Sequence, residues 1–378
     1  MVKTVRFTQL DFIRGLAALL VTAGHLRHLL FDSSTRLNEA GIQISLPWKV
    51  FYGLTGLSHE AVIVFFALSG FLVGGKVLSD LTDKRFSWPL FVLRRLTRLW
   101  IVILPALLLT LAFDLLGSQF ALVPVYQGGF YEIYSSGPTL DEPANHSLST
   151  FLGNVLFLQK IYVPVFGSNG PLWSLANEFW YYVLFTSLFW IGLSRPRLGP
   201  RAATVVVILF VAWMIPSSYW SGAFIWVSGA LAAWASRQAD FSRYFVSNVT
   251  RLAAAVLVGA CLLISKMAPH PIGGLVLGLA VAATLPVVAR LPSMGRTFDA
   301  MAVRISDVSY SLYLSHFPLV LFVVAVSIAP RRTTPDLSTL GLFAALFALC
   351  LAWAFLVWLM FERNTDRVFL TLRQTLKV

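Results

Sequence analysis

Charge is scarce in this chain of 378 residues: Asp, Glu, Lys and Arg together make up only 12% of it. Soluble domains carry about 25% charged residues. Hydrophobic residues reach 57% and mean hydropathy is +0.76, so a soluble protein is excluded. Cysteine is nearly absent. Cys261 and Cys350 are the two present, and both lie inside apolar segments. They build neither a disulfide framework nor a thiol metal site and read as buried apolar filler. Lys and Arg are missing from the whole stretch 117–159. No Gly-x-Ser-x-Gly elbow and no phosphate-cradling Gly-rich loop is present, which removes two common catalytic signatures. His25 and His28 lie three apart, but nothing nearby in sequence completes a metal-ligand set. No internal repeat of the kind that marks many transporters is visible.

What the chain does have is apolar stretches close to the roughly 20 residues that cross a bilayer. Ten spans are expected: 10–31, 57–78, 97–116, 171–192, 202–216, 220–236, 252–268, 272–289, 305–329 and 338–361. The first is too long and too polar for a cleavable signal peptide, since it holds Arg14, His25, Arg27 and His28. With no soluble stretch of domain size, residues 1–378 read as one all-α, polytopic membrane domain. The net charge of +12 would suit nucleic acid, but its distribution points elsewhere. Clusters such as Lys84, Arg85, Arg94 and Arg95, then Arg195, Arg197 and Arg201, then Arg290, Arg296 and Arg304 all fall between spans on one side. A Lys/Arg bias in short loops sets orientation, so both termini are expected in the cytoplasm, with a short cytoplasmic tail at 362–378. Topology and anionic lipid thus account for the charge, and no nucleic-acid partner is expected. Segment 151–166 contains Gln159 and Lys160 and reads as interfacial or re-entrant. The loop 117–150 carries Tyr126, Tyr131, Glu132, Tyr134, Asp141 and Glu142. It is either an ordinary outer loop or the mouth of an acceptor site.

Polar residues inside the expected spans carry the functional signal. Ionisable groups in hydrocarbon cost at least ~2.5 kcal/mol each, so they face an interior cavity and tend to serve function. Arg14 and His25 are eleven residues apart, which places them within ~20° on one helix face and about 16 Å apart along the axis. Ser69 and Gly70 in the second span are small enough for close helix packing, or for a groove beside a narrow substrate. Arg94, Arg95 and Arg98 open the third span. They form either an inner-leaflet anchor or a phosphate clamp, because guanidinium meets phosphate bidentately. Trp173, Ser174 and Glu178 begin the fourth span, with Glu178 about 10 Å below its outer end. His25 lies at a similar depth, so Glu178 is expected to orient and charge-balance the imidazole. The ninth span carries Ser309, Tyr310, Ser311, Tyr313, Ser315 and His316, a density of polar groups that also turns it inward.

In order along the chain, these motifs resemble acyltransferase family 3, the integral-membrane acyltransferases that include bacterial polysaccharide O-acetyltransferases. The matching residues are Arg14 with His25, segment 65–71, Arg95 with Arg98, then Trp173, Ser174, Leu175 and Glu178. Ser311, Leu312, Tyr313, Leu314, His316 and Pro318 complete the set. The resemblance implies about ten spans, an acyl-CoA donor (usually acetyl-CoA), and a sugar hydroxyl as acceptor. It implies a catalytic role for His25 and an essential one for Arg14. Some members carry a C-terminal extracytoplasmic esterase-like domain, and none is expected here. The tail Phe361, Glu362, Arg363, Asn364 departs from the family's common Glu-Arg/Lys-Pro ending.

The expected function is therefore a multi-pass O-acyltransferase of the bacterial inner membrane, acting on a cell-surface sugar, polysaccharide or glycolipid, with no metal. His25 would serve as base or as acyl carrier, assisted by Glu178. Arg14, Arg95 and Arg98 would hold the donor. Ser69, Trp173, Ser174, Tyr313 and His316 would support the substrate or the site, with Ser69 or Ser174 as oxyanion donors. A secondary transporter of an anionic or acylated small molecule is the second reading. A catalytically dead receptor or assembly factor, in which His25 is dispensable, is the third.

Overall fold

The computed structural model describes residues 7–129, 137–238, 247–269, 271–327 and 332–377. Tyr131, Glu132 and Tyr134 of the acidic loop lie outside the described residues. The described residues are all-helical, with isolated bridges and no strand. In lipid, backbone polar groups find no water, and a helix satisfies them within its own segment. The helices are α1 (Thr8–Leu30), α2 (Ser34–Glu39), α3 (Leu46–Thr55), α4 (Ser58–Ser69), α5 (Gly75–Thr82), α6 (Trp88–Phe120), α7 (Leu148–Val155) and α8 (Trp173–Ser194). They continue with α9 (Leu198–Met214), α10 (Trp220–Ala235), α11 (Asn248–Met267), α12 (Ile272–Val288), α13 (Arg296–Asp307), α14 (Ser309–Ser327), α15 (Leu337–Met360) and α16 (Thr365–Thr375). A π-helical turn, Gly70–Gly74, joins α4 to α5. Side-chain caps start several helices: Ser147 accepts from the Thr150 N–H, and Ser247 from the Thr250 N–H.

Among the described residues, five helical runs are long and apolar enough to cross a membrane: Leu46–Thr82, Trp88–Phe120, Asn248–Met267, Ser309–Ser327 and Leu337–Thr375. Leu198–Met214 and Ser217–Ala235, bent by 103° at their junction, meet the same criterion when taken together as one broken span. Several boundaries differ from the sequence expectation: the runs Leu46–Thr82 and Leu337–Thr375 extend well past 57–78 and 338–361, and two other differences bear on the site. The third span is longer than 97–116, because α6 runs for 33 residues and takes in the Arg94–Arg98 cluster. The ninth is not one helix over 305–329, since the chain turns at Val308. Polarity changes there. Arg296–Asp307 holds Arg296, Asp299, Arg304 and Asp307, whereas Ser309–Ser327 has no Asp, Glu, Lys or Arg. Segment 151–166 is not a continuous helix. α7 ends at Val155, and the chain then turns with Gln159 fully buried and donating to the Leu172 carbonyl at 2.9 Å.

The chain divides into two compact units. The first comprises Met1–Ala17, Glu60–Trp88 and Asn177–Ser306. Here small residues let helices touch. A Cβ on Gly70 would sit 1.9 Å from the Trp226 carbonyl oxygen, and one on Gly229 would sit 2.3 Å from the Ala67 carbonyl oxygen. Phe185 stacks on Trp226 with ring centres 5.4 Å apart. The second unit comprises Ala18–His59, Pro89–Ala176 and Asp307–Val378. Its core helix is α14, buried over most of its length and packed on α15. Pro318 cannot donate to the carbonyl four residues back, which leaves the Leu314 carbonyl without its helical partner. The Asn169 side chain takes that place, donating to the Leu314 oxygen at 2.8 Å.

Candidate active site

In the second unit, α1 and α14 bring two histidines together. His25 Nδ1 and His316 Nε2 are 2.8 Å apart, with the ring planes inclined by only 10°. His316 Nδ1 is 2.7 Å from the Leu312 carbonyl oxygen. A carbonyl only accepts, so His316 Nδ1 carries the proton. A neutral His316 then offers Nε2 as an acceptor, and His25 must donate from Nδ1. This chain leaves His25 Nε2 with its lone pair, hydrogen-bonded to no described residue. His316 is fully buried, whereas His25 is partly accessible. Phe317 meets the His25 ring edge-on at 5.2 Å. The arrangement is a largely buried, partly accessible base oriented by a fully buried partner, as in a nucleophile-activating triad but with imidazole in place of the carboxylate.

The same helix anchors two further polar contacts. Tyr313 Oη and Ser174 Oγ lie 2.7 Å apart, both buried. Ser311 donates to Glu362 Oε2 from its amide at 3.0 Å and from its hydroxyl at 2.6 Å. The other carboxylate oxygen of Glu362 meets Arg98 Nη2 at 2.8 Å. Arg98, expected at the donor's phosphates, thus already holds a buried carboxylate, and it also lies over the Tyr310 ring. Arg94 covers Phe369 of α16. Arg95 lies on the same helix, α6. Trp173 begins α8, just after the 3₁₀ turn Gly170–Leu172.

In the first unit, Glu178 Oε1 accepts from Ser69 Oγ at 2.7 Å and from the Tyr182 hydroxyl. Trp226 Nε1 donates to Ser69 Oγ at 3.2 Å. Glu178 Oε2 is hydrogen-bonded to no described residue. Ser69, expected at a packing position or substrate groove and as an oxyanion donor, here gives its hydroxyl proton to Glu178. It sits directly before the π turn, a feature frequent at functional sites. Arg14 Nη2 lies 3.3 Å from Asp11 Oδ1 and donates to the Ser306 carbonyl at 3.3 Å. The Ser306 hydroxyl donates to Asp11 at 2.8 Å.

The family model for the acyltransferase domain of acyltransferase family 3 matches residues 7–359. The chain belongs to this family. It is a membrane acyltransferase, and the helices that carry His25, Glu178 and His316 all lie inside the matched region. No curated protein and no solved structure matches the chain. Among the described residues of the acyltransferase, no group of three or more His, Cys, Asp or Glu side chains is placed to hold a metal.

The contacts of this acyltransferase add residues that sequence reasoning passed over. Glu362 looked like part of a divergent tail, yet it is 3% exposed and ties α14 to Arg98. Its signal was a lone carboxylate directly after an apolar helix. Trp226 and Tyr182 gave none, being aromatic residues among many. Asp114, in the apolar second half of α6, was the clearest missed cue: a carboxylate at such a position is itself a functional pointer.

Proposed function

We propose that this acyltransferase moves an acyl group, acetyl in the first instance, from acyl-CoA to a hydroxyl of a cell-surface sugar, polysaccharide or glycolipid. The cell inner membrane of a bacterium is its proposed location. Ten spans with both termini in the cytoplasm remain the proposed topology, supported by the one-sided Lys/Arg clusters.

The observation that carries the mechanism is the hydrogen-bond chain Leu312–His316–His25. His25 Nε2 takes the proton of the acceptor hydroxyl as its oxygen attacks the thioester carbonyl carbon. The tetrahedral intermediate collapses, the C–S bond breaks, and His25 returns the proton to the leaving sulfur. The products are the ester and CoA. Attack by Nε2 itself, giving a transient acyl-imidazole, uses the same lone pair. His316 holds the ring and keeps the proton on Nδ1 throughout.

Glu178 keeps its assignment as a catalytic carboxylate through the motif it shares with Trp173 and Ser174. Ser69 and Tyr182 fix one of its oxygens and leave the other for the reaction. Arg14, Arg95 and Arg98 are assigned to the phosphates of the donor by guanidinium chemistry. Arg98 divides its charge between a phosphate and Glu362. Ser174 and Tyr313 support the wall beside α14.

The test is acetyl-CoA turnover by purified protein, with a sugar acceptor, in wild type and His25→Ala. Loss of a general base costs roughly 10²–10⁴-fold in rate. Wild-type turnover by a folded His25→Ala protein would remove His25 from the mechanism.

A further inference from the structure

The second unit also contains a histidine–carboxylate pair, away from His25 in sequence. Asp114 on α6 is fully buried. His146 Nε2 meets its Oδ2 at 2.8 Å. Ser168 donates to the same carboxylate twice, from its amide at 2.7 Å and from its hydroxyl at 2.6 Å. An ionised carboxylate only accepts, so His146 Nε2 carries the proton. His146 Nδ1 is then the imidazole's open position, and it is hydrogen-bonded to no described residue.

The ring borders a hollow of about 380 Å³, framed by residues 141–146 and Pro164. Small-molecule sites fall in the range of ~300–1,000 Å³. The walls are held in place. The Gly167 amide donates to the Asn145 carbonyl at 2.9 Å, and the Ala144 amide to that of Tyr126 at 2.9 Å. Phe166 packs edge-on against the His146 ring. Gly167 has φ +58°, and a Cβ there would stand 2.3 Å from Asp114 Oδ2 and 3.1 Å from His146 Nε2. Only glycine lets the chain cross the dyad this closely.

Charge selects the ligand. Asp141 and Glu142 stand at the hollow, Lys160 answers Glu142, and Asp141 has no described partner. No Lys or Arg occurs in 117–159. Such a hollow repels the phosphates of CoA and suits a hydroxyl-rich neutral molecule, whose O–H groups donate to carboxylates and to imidazole nitrogen. The hollow is also tied to His25 by covalent and hydrogen bonds. Ser168 grips Asp114, the next residue Asn169 grips the Leu314 carbonyl, and His316 lies two residues further along α14.

We propose that this hollow is the acceptor subsite, taking a neutral carbohydrate with one hydroxyl on His146 Nδ1 and others on Asp141 and Asn145. The proposal deepens the acyl-transfer reading above, and its test separates the two. The probe is methyl α-D-glucopyranoside, with binding read by saturation-transfer NMR on the detergent-solubilised full chain. The same samples are assayed for acetyl-CoA turnover. Wild type and His25→Ala should both show saturation transfer to the bound glycoside, although only wild type acylates it. His146→Gln and Asp141→Asn should each weaken that saturation transfer by ~5-fold or more, the worth of one hydrogen bond, and raise the acceptor KM while leaving the acetyl-CoA KM unchanged. Asp141 is exposed, so its substitution reports on binding without endangering the fold. Unchanged saturation transfer and unchanged acceptor KM in both variants would overturn the subsite while leaving the acyl-transfer reading intact. So would a folded wild type that gives no saturation transfer to the glycoside. Saturation transfer that depends on His146, in a protein that consumes no acetyl-CoA, would sustain the subsite and sink the donor assignment.

Discussion

Replacing His316 tests the central geometry most directly. The side chain is fully buried, and its Nε2 is the acceptor for His25 Nδ1 at 2.8 Å. In His316→Ala, the His25 N–H loses its partner, and the imidazole is free to rotate or to move its proton to Nε2, where it can no longer act as a base. A buried donor left unsatisfied costs ~1–3 kcal/mol. At 1.36 kcal/mol per tenfold in rate, that corresponds to a fall in kcat of about 5- to 160-fold. The donor KM should change little, because His316 hydrogen-bonds to His25 and the Leu312 carbonyl and to none of the arginines proposed for the donor. His316→Gln should recover part of the loss, since its amide oxygen can accept from His25 Nδ1. His316→Leu, of comparable bulk but with no acceptor, should not. The assay is steady-state acetyl-CoA consumption with acceptor, on protein that elutes as a single species and melts cooperatively. If folded His316→Leu and His316→Ala both turned over at the wild-type rate, the Leu312–His316–His25 chain would have no part in catalysis.

Three other outcomes follow from the contacts. Arg98→Met and Glu362→Leu should each lower thermal stability by ~3 kcal/mol or less, because removing one partner strands a buried charge and Arg98 is 35% exposed. The double variant should be more stable than the sum of the two losses implies. Unchanged melting in Arg98→Met, with a raised acetyl-CoA KM, would make Arg98 purely a donor group. Gly70→Ala should destabilise the first unit by ~1–3 kcal/mol through overpacking, since its Cβ would meet the Trp226 carbonyl at 1.9 Å. A melting temperature equal to wild type would show that the two helices separate easily. Asp336 caps α15, and its carboxyl is held below the usual carboxylate range by the Ser338 hydroxyl, the Thr339 amide and the Thr339 hydroxyl. Its charge therefore stabilises the fold above the unfolded carboxylate pKa of ~3.9, and this contribution disappears as pH falls through the lower folded value. Melting curves of wild type and Asp336→Asn should differ above pH ~4 and converge in stronger acid; a constant offset would refute the linkage.

Sequence by itself determined the class. Scarce charge, long apolar runs and no cysteine framework require helices, because unpaired backbone groups are too costly in lipid. It also pointed to candidate groups, an imidazole, a carboxylate and arginines within or beside apolar spans, where ionisable side chains tend to serve function. Several helix limits were legible for the same reason, as in Trp220–Ala235 and Ile272–Val288, where apolarity and helix share their ends. The break at Val308 was blurred because apolar residues lie on both sides of it, and only the balance of charge changes.

Tertiary structure decided who holds whom. Periodicity places His25 on a face of one helix and His316 on another helix 291 residues away, but no local pattern encodes that they meet. That contact depends on how α1 and α14 pack, and it gives His316 the orienting contact on His25 that sequence alone suggested for Glu178. The same holds for Glu362, which looked like a departure from a tail motif until folding set it against Arg98 and Ser311. Asp114 and His146, 32 residues apart, became a pair only when Gly167 let the chain close over them. Spacing along a helix is fixed by covalent geometry and can be read from sequence. Partners between helices are fixed by packing, which depends on side chains from the whole unit at once.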